Sequence, residues 1–237
     1  MNIEFKELAT FLEGNPQMSL APSNYNEYVV KGILSLDIKS KINGDINDEF
    51  LIKIVIPKCF PKEIPKVFEL ENKFPKTADY HTFIDESLCL GTPLSIKKRL
   101  NSNPSLDGYI YSCVVPYFYA IALKLQGRDN FIYGELSHGL IGIIEDYLSI
   151  FNLKTFDQII QLFYILSLKP NKGNKMICPC GCNRRVTKCK LHKKIVEYRG
   201  VWTRKEYTKE KEAFIKIYAE IIKHLKINSY KRPIPYA

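Results

Sequence analysis

The sequence lacks the long apolar run that a membrane-spanning helix needs, which is roughly 18 to 20 consecutive residues. The first eight residues carry two glutamates, whereas a secretory signal peptide begins with a basic patch and continues with an apolar stretch. We therefore expect neither membrane insertion nor export, and the sequence predicts a cytoplasmic protein.

Acidic residues are scarce in the C-terminal part of the chain. Residues 1–168 hold 16 lysines and arginines against 20 acids, whereas residues 169–237 hold 19 against 5. The formal net charge of +10 therefore comes from the C-terminal part. Such an asymmetry favours an acidic partner, either nucleic acid or an acidic protein surface, although a solvated basic face without a partner would give the same count.

Hydrophobic periodicity predicts a helix followed by an antiparallel meander. Apolar residues at helical spacing indicate a helix over residues 2–13. Alternating apolar residues then indicate strands over 28–40 and 50–56, joined by an Asn43-Gly44 hairpin signal, and a third strand near 67–70. We expect these strands to form an antiparallel sheet packed on the helix.

The rest of the chain reads as a long loop, three helices and a separate C-terminal module. No strong periodicity is visible over residues 75–108, and such long stretches in compact domains are often functional. Helices are predicted near 109–125, 138–151 and 156–168, and a basic helix near 205–226. The polar segment 169–176 is the predicted linker between a domain of residues 1–168 and a module of residues 177–237.

Four of the seven cysteines and one histidine lie within the 15 residues "CPCGCNRRVTKCKLH", residues 178–192. In a cytoplasmic protein this argues against a disulfide framework and for metal binding. Thiolates and imidazole at this spacing can wrap one tetrahedral zinc ion. We read the two isolated cysteines Cys59 and Cys113 as packing residues.

This stretch resembles the SEC-C zinc module, which reads Cys-Pro-Cys-Gly-Ser-Gly, a basic hairpin, then Cys-Cys or Cys-His. The resemblance implies Cys178, Cys180 and Cys189 as three zinc ligands. Lys190 stands where the fourth ligand belongs, so His192 is the expected fourth ligand and Cys182 the alternative. SEC-C-like modules serve as interaction patches, which is compatible with nucleic-acid binding but does not indicate sequence-specific recognition.

Cys89 lies in the long loop, within "DYHTFIDESLCLGTP", residues 79–93. A free cysteine is usually a small buried hydrophobe, but an accessible loop thiol is a candidate nucleophile. The chain around it resembles the ubiquitin-conjugating enzyme (UBC-like) family, in its bacterial branch, over about residues 1–150. The matching segments are Phe60-Pro61, residues 64–69, His81, Ser87-Leu88-Cys89-Leu90-Gly91, and "GELSHGLIGIIEDY" at residues 134–147.

The resemblance implies an α+β fold: a UBC-like antiparallel β-meander with flanking helices, followed here by a small zinc-binding module and a basic helix. It implies that Cys89 accepts a ubiquitin-like modifier as a thioester from an activating enzyme and passes it to a target amine. The bacterial branch suggests an antiphage defence operon and a target such as a cGAS-like nucleotidyltransferase.

One departure from the family concerns the oxyanion. Eukaryotic members of the family carry His-Pro-Asn about ten residues before the cysteine, and here Asp79-Tyr80-His81-Thr82-Phe83 contains no asparagine. His81, His138 or a main-chain amide would have to replace it, although His81 fits a loop-bracing role better and His138 a helix start. Asp85 and Glu86 are candidates for orienting or deprotonating the amine, but for acids of a surface loop solvation is the better explanation.

Three other functions remain open at this stage. A catalytically inactive UBC-like scaffold would bury Cys89 and act through its zinc module. A zinc-dependent nucleic-acid-binding protein would act through its basic part. A cysteine hydrolase would pair Cys89 with His81 or His138 and a carboxylate.

Overall fold

A computed structural model describes residues 5–42, 44–128 and 139–230, with side chains as far as residue 219. The chain divides into two compact units, residues 1–143 and 144–237. The first unit contains a four-stranded sheet and the helices that cover it, and the second is helical with a cysteine-rich segment.

The sheet of the first unit is an antiparallel meander with the order β1-β2-β3-β4. The strands are β1 (Met18–Ala21), β2 (Glu27–Ile38), β3 (Ile46–Pro57) and β4 (Lys66–Glu69). Strands β2 and β3 pair along their whole length, from Glu27 opposite Pro57 to Ile38 opposite Ile46. Alternate β3 side chains are fully buried, namely Phe50, Ile52, Ile54 and Ile56. The mixed α+β fold with an antiparallel meander is thereby confirmed.

Strand β1 was not predicted, because its four residues are too short to show an alternating pattern. It pairs with β2 through Met18 opposite Gly32. A Cβ atom at position 32 would lie 2.1 Å from the Gln17 carbonyl oxygen and 2.5 Å from the Met18 Cα. The approach of β1 to β2 therefore depends on a glycine at this position.

Helices α1 (Phe5–Gly14) and α2 (Pro93–Ser102) belong to the first unit. Helix α2 lies inside the stretch that was expected to be an irregular loop. Its start carries a recognisable signal, because Thr92 caps the helix by accepting a hydrogen bond from the Ser95 N–H and Pro93 occupies the first turn. The apolar residues after Pro93 are few, and the three cationic residues Lys97, Lys98 and Arg99 interrupt them. The helical periodicity is therefore too weak to recognise in the sequence.

The long core helix covers residues 106–125 as α3 (Leu106–Tyr109), a π-helical turn (Ile110–Val114) and α4 (Val115–Leu125). The π turn precedes Pro116, which has no N–H to donate to the Ser112 carbonyl. That carbonyl instead accepts a hydrogen bond from Nη1 of Arg99, at 3.3 Å. The predicted helix near 109–125 is therefore present, and its proline is accommodated without a break.

By length and composition, residues 106–125 would also be apolar enough to span a membrane, alone among the helices of the described ranges. Its central part, including Phe118 and Ile121, is buried in the core of the first unit. A buried core helix passes the same test of length and composition.

The second unit contains most of α5 (Gly139–Phe151), then α6 (Phe156–Ser167), the helical turn α7 (Pro170–Gly173), α8 (Leu191–Tyr198) and α9 (Arg204–Tyr230). Helix α6 packs along α9 through aromatic pairs: Phe163 lies 5.9 Å from both Tyr207 and Phe214 between ring centroids. Residues 144–168 thus share a core with the C-terminal helix. Along the chain, the boundary between the units lies between residues 143 and 144. The sequence had instead predicted a linker over residues 169–176.

We predict that Gly32→Ala destabilises the protein by about 1–3 kcal/mol, because the new methyl group meets main-chain atoms of β1 that cannot move aside without breaking the pairing. Gly14→Ala is the matched control, since nothing lies within 4 Å of a Cβ at that position. Urea denaturation followed by circular dichroism measures both. Equal effects at the two positions would contradict the role assigned to Gly32.

Candidate functional sites

Cys89 lies on the second arm of a small hairpin that follows β4. The hairpin is marked by an antiparallel bridge between Thr82 and Leu88, and this register places His81 opposite Cys89. The Cys89 N–H donates to the His81 carbonyl at 2.7 Å, and the Leu88 N–H donates to the Val67 carbonyl at 2.8 Å. The candidate nucleophile is therefore fixed by main-chain hydrogen bonds to the sheet and to its own hairpin.

The tip of this hairpin is held by a carboxylate. Asp85 accepts hydrogen bonds from Nζ of Lys66 at 2.7 Å and from the Ser87 hydroxyl at 2.5 Å. The Lys66 hydrogen bond, followed by those from Ser87, lowers the pKa of the Asp85 carboxyl to about 2. Asp85 is thus ionised, and its carboxylate holds the turn. The sequence had suggested two other roles for it, a solvated surface acid or a group that orients or deprotonates the amine.

His81 adopts a left-handed backbone conformation, with φ of 49° and ψ of 50°. Non-glycine residues rarely do so, and such a residue usually marks a position that the surroundings impose. Its carbonyl receives the Cys89 N–H. The main chain of His81 therefore braces the loop, which is the interpretation that the sequence favoured over direct catalysis.

The Cys89 side chain is half-buried between the buried residues Leu88 and Leu90. Burial raises the pKa of the Cys89 thiol, and a hydrogen bond from the Gly91 N–H only partly opposes this. A catalytic cysteine paired with histidine has a pKa well below that of a free thiol. Cys89 is therefore a protonated thiol at neutral pH, not one half of a thiolate–imidazolium pair.

Two buried tyrosines of the long core helix hydrogen-bond main-chain carbonyls in the approach to β4 and in the loop that carries Cys89. The Tyr117 hydroxyl donates to the Tyr80 carbonyl at 2.6 Å, one residue before His81. The Tyr109 hydroxyl donates to the Pro65 carbonyl at 2.7 Å, at the start of β4. Sequence reasoning missed both residues, because a tyrosine in an apolar helix looks like ordinary core until its hydroxyl partner is known.

The second candidate site is the cysteine cluster. The sulfur atoms of Cys178, Cys180, Cys182 and Cys189 all lie within 4.8 Å of one another. Two pairs are close, with 3.3 Å between Cys178 and Cys180 and 3.4 Å between Cys180 and Cys189. Metal–sulfur bonds of about 2.3 Å in a tetrahedron place the sulfurs about 3.8 Å apart. The four thiols could therefore hold a metal ion.

The backbone around the cluster brings the cysteines together. The Cys178 N–H donates to the Arg184 carbonyl at 2.8 Å, and Ile177 forms a bridge with Arg185. Gly181 closes the turn between them with φ of +81°. The Leu191 N–H points at the Cys189 sulfur at 3.4 Å, as amides do around metal-bound thiolates.

The fourth member of this group is Cys182, whereas the sequence favoured His192. The pKa of Cys182 is lowered to about 6, first by a hydrogen bond from the Arg184 main chain. His192 lies in the first turn of helix α8, where its main-chain N–H donates to the Cys189 carbonyl at 3.0 Å. Its Nε2 is buried without a hydrogen-bond partner among the described residues and lies outside the four-sulfur group. The alternative ligand named from the sequence is the one that the geometry supports.

Of the remaining candidates, Cys113 is buried in the core as expected, and Cys59 is half-buried. Glu86 is exposed at the hairpin tip with φ of 63°. His138, and with it the beginning of the motif at 134–147, lies outside the described residues.

Comparison with known proteins identifies no relative of this chain: no family model, no curated protein and no solved structure matches it.

We predict that native Cys89 reacts with iodoacetamide roughly three- to tenfold more slowly at pH 7.5 than the same cysteine in urea, because burial raises its pKa. The rate should still be rising at pH 9. Peptide mass spectrometry separates Cys89 from the other six cysteines. A rate that is already at its plateau below pH 7 would instead indicate a thiolate–imidazolium pair.

We also predict that Cys182 and not His192 is the fourth metal ligand. Titrated with Co²⁺, Cys182→Ser should lose about one quarter of the sulfur-to-metal charge-transfer absorption and bind at least about tenfold more weakly. His192→Ala should match the unmodified protein in both. The reverse pattern would return His192 to the ligand set.

Proposed function

We propose that this protein is a conjugating enzyme of the ubiquitin-like type, in which Cys89 carries a modifier as a thioester and delivers it to an amine. The observation that carries the proposal is the state of Cys89: a half-buried thiol of raised pKa, fixed by its own main chain beside an antiparallel meander. This suits a carrier of acyl groups better than a self-sufficient hydrolase.

The reaction needs two acyl transfers at one sulfur atom. In the first, the Cys89 sulfur attacks the thioester carbonyl of the modifier on its activating enzyme; a new C–S bond forms, the old one breaks, and the Cys89 proton passes to the departing thiolate. In the second, an amine nitrogen attacks the same carbonyl, the Cys89 thiolate leaves, and it takes up the proton that the amine loses. No oxidant or reductant is required.

A raised thiol pKa is useful for the carried intermediate. A thiol of high pKa is a poorer leaving group, so its thioester is attacked more slowly by water and by adventitious thiols. A hydrolase needs the opposite arrangement, with an imidazole that lowers the pKa and activates water. Burial, not an imidazole, dominates the pKa of Cys89, and this is why we place the hydrolase last among the candidates.

The missing asparagine requires another donor for the oxyanion. The Gly91 N–H hydrogen-bonds the Cys89 sulfur, so it is a main-chain donor beside the place where a carbonyl carbon would be bonded. Gly91 has φ of +133°, a conformation that other residues rarely adopt. We assign this amide the oxyanion role; such a donor typically contributes about 10² to 10³ in rate.

For the cysteine cluster we propose a structural zinc ion. Four sulfur ligands leave no open coordination position for substrate, which is the pattern of a structural site. The segment from 176 to 190 contains one short 3₁₀ turn and little apolar core beyond Val186. Zinc binding in small modules supplies roughly 10 to 16 kcal/mol, so the ion would provide the folding free energy that this segment's own packing does not.

We predict that a cognate activating enzyme, ATP and modifier add one modifier mass to Cys89, as an adduct that reducing thiol removes. Cys89→Ala should abolish it, and Cys89→Ser should trap an oxyester that resists thiol. Intact-mass spectrometry with and without thiol measures both. The matched controls are Cys59→Ala and Cys113→Ala, which should load normally.

Two further variants test the assigned roles. Alanine at position 91 keeps the N–H but cannot easily adopt the φ of +133° that directs it. Gly91→Ala should therefore slow discharge to an amine by about 10² or more. His81→Asn, which tolerates the left-handed conformation, should discharge normally if His81 acts only through its main chain. An adduct that persists in Cys89→Ala would show that another residue carries the modifier. A chain that never loads, with Cys89 unreactive, would be the non-catalytic scaffold.

A further inference from the structure

The segment from residue 158 to residue 196 contains no aspartate or glutamate. It contains nine cationic residues: Lys169, Lys172, Lys175, Arg184, Arg185, Lys188, Lys190, Lys193 and Lys194. We call these nine residues the cationic set. All but Lys194 are exposed, and Lys194 is half-buried.

None of the cationic set has a carboxylate partner within the described residues. Ion pairs are seen instead in the first unit, for example between Lys66 and Asp85 and between Lys73 and Asp48. The contrast is informative, because lysines of the sheet unit such as Lys66 and Lys73 are paired with aspartates although they are also on the surface. Arg184 contacts the Cys182 sulfur, but a concentration of cations without carboxylate partners costs stability through self-repulsion, so it calls for an explanation.

The cysteine cluster accounts for only part of this charge. Four thiolates around a divalent ion carry a net charge of about −2. Nine cations would exceed that charge by about seven. The excess remains available to an external anion.

The cations are also presented on one folded piece. Helical turn α7 packs against the end of α6, where a Cβ at Gly173 would lie 2.8 Å from the Ile165 carbonyl oxygen. Nη2 of Arg199, just after α8, donates to Oδ1 of Asn174 at 2.8 Å. The cations before, within and after the cysteine cluster are therefore held together, and little ordering is needed on binding.

The surface they occupy is poor in apolar anchors. Over residues 169–195 the exposed large apolar side chain is Ile177, and none is exposed over residues 178–195. Protein–protein interfaces draw most of their binding energy from buried aromatic and aliphatic anchors. Binding to a phosphate backbone needs none, because counterion release supplies the free energy.

We infer that the cationic set is a binding surface for the phosphate backbone of nucleic acid, without sequence preference. This function is separate from acyl transfer at Cys89 and stands or falls independently of it. The absence of exposed aromatic residues over 178–195 removes the stacking platforms that single-strand binders use. Duplex is therefore the expected ligand, since it presents the higher density of phosphates.

The test uses the full-length protein with zinc bound and a fluorescein-labelled 20-base-pair DNA duplex of random sequence, measured by anisotropy between 50 and 300 mM NaCl. If about five cations contact phosphates, the logarithm of the association constant should fall with the logarithm of salt with a slope of about −4 to −5. A second duplex of unrelated sequence should bind equally, and a single strand of the same length more weakly.

The matched variants carry the same change in net charge. Arg185→Glu, Lys188→Glu and Lys193→Glu together should weaken duplex binding by about 30-fold or more at 100 mM NaCl. Lys6→Glu, Lys31→Glu and Lys62→Glu, exposed in the sheet unit, should together weaken it by no more than about threefold. Zinc content and circular dichroism confirm that both triple variants are folded.

Three results would overturn the inference. If both triple variants lost the same affinity for the duplex, net charge alone would explain the binding. Binding without salt dependence would exclude the phosphate backbone. A labelled 20-residue polyglutamate that binds as tightly as the duplex would assign the surface to an acidic protein partner instead. Loading of Cys89 is measured separately, so failure here leaves the conjugation proposal intact.

Discussion

The position of Cys89 depends on the hydrogen bond from its own N–H to the carbonyl of His81. No regular element contains Cys89, so its placement depends on this bond and on the neighbouring Leu88-to-Val67 bond that ties the hairpin to β4. The carbonyl of His81 points to Cys89 only because His81 is left-handed, and the residue before it is held by the Tyr117 hydroxyl. In the acyl transfers proposed above, a thiol fixed in this way would meet its two partners without reorganising.

The same constraint accounts for the electrostatics of the site. Leu88 and Leu90 are buried because the hairpin lies against the core, and Cys89 between them is drawn into a partly apolar environment. Burial then raises the thiol pKa. The Asp85 carboxylate at the tip of the hairpin accepts hydrogen bonds from Lys66 and Ser87. The packing of the hairpin against the core therefore determines both the position of Cys89 and the raised pKa of its thiol.

The sequence predicted the elements whose pattern is long enough to show a period. Strands β2 and β3 alternate over 12 residues each, and the helices rich in apolar residues were located within a few positions. Strand β1, with four residues, carries no periodic information, and α2 was hidden by its cations. At the cysteine cluster, residue spacing predicted the metal-binding segment, but the sequence favoured His192 over Cys182 as the fourth ligand. A β-turn at Gly181 decides that choice, because it folds the chain back toward Cys178, and sequence spacing alone does not report its direction.

The boundary between the two units shows why charge and composition mislead about domains. The polar segment over 169–176 looks like a linker, yet α7 within it packs on α6, and α6 shares its aromatic core with α9. A cut at 168/169 would expose Phe156 and Phe163, which pack on Phe214. Fragments meant to separate the two proposed functions should therefore divide the chain before helix α5, which begins at Gly139, so that Phe156 and Phe163 stay with Phe214. The change of charge near residue 169 marks a change of surface within one folded unit.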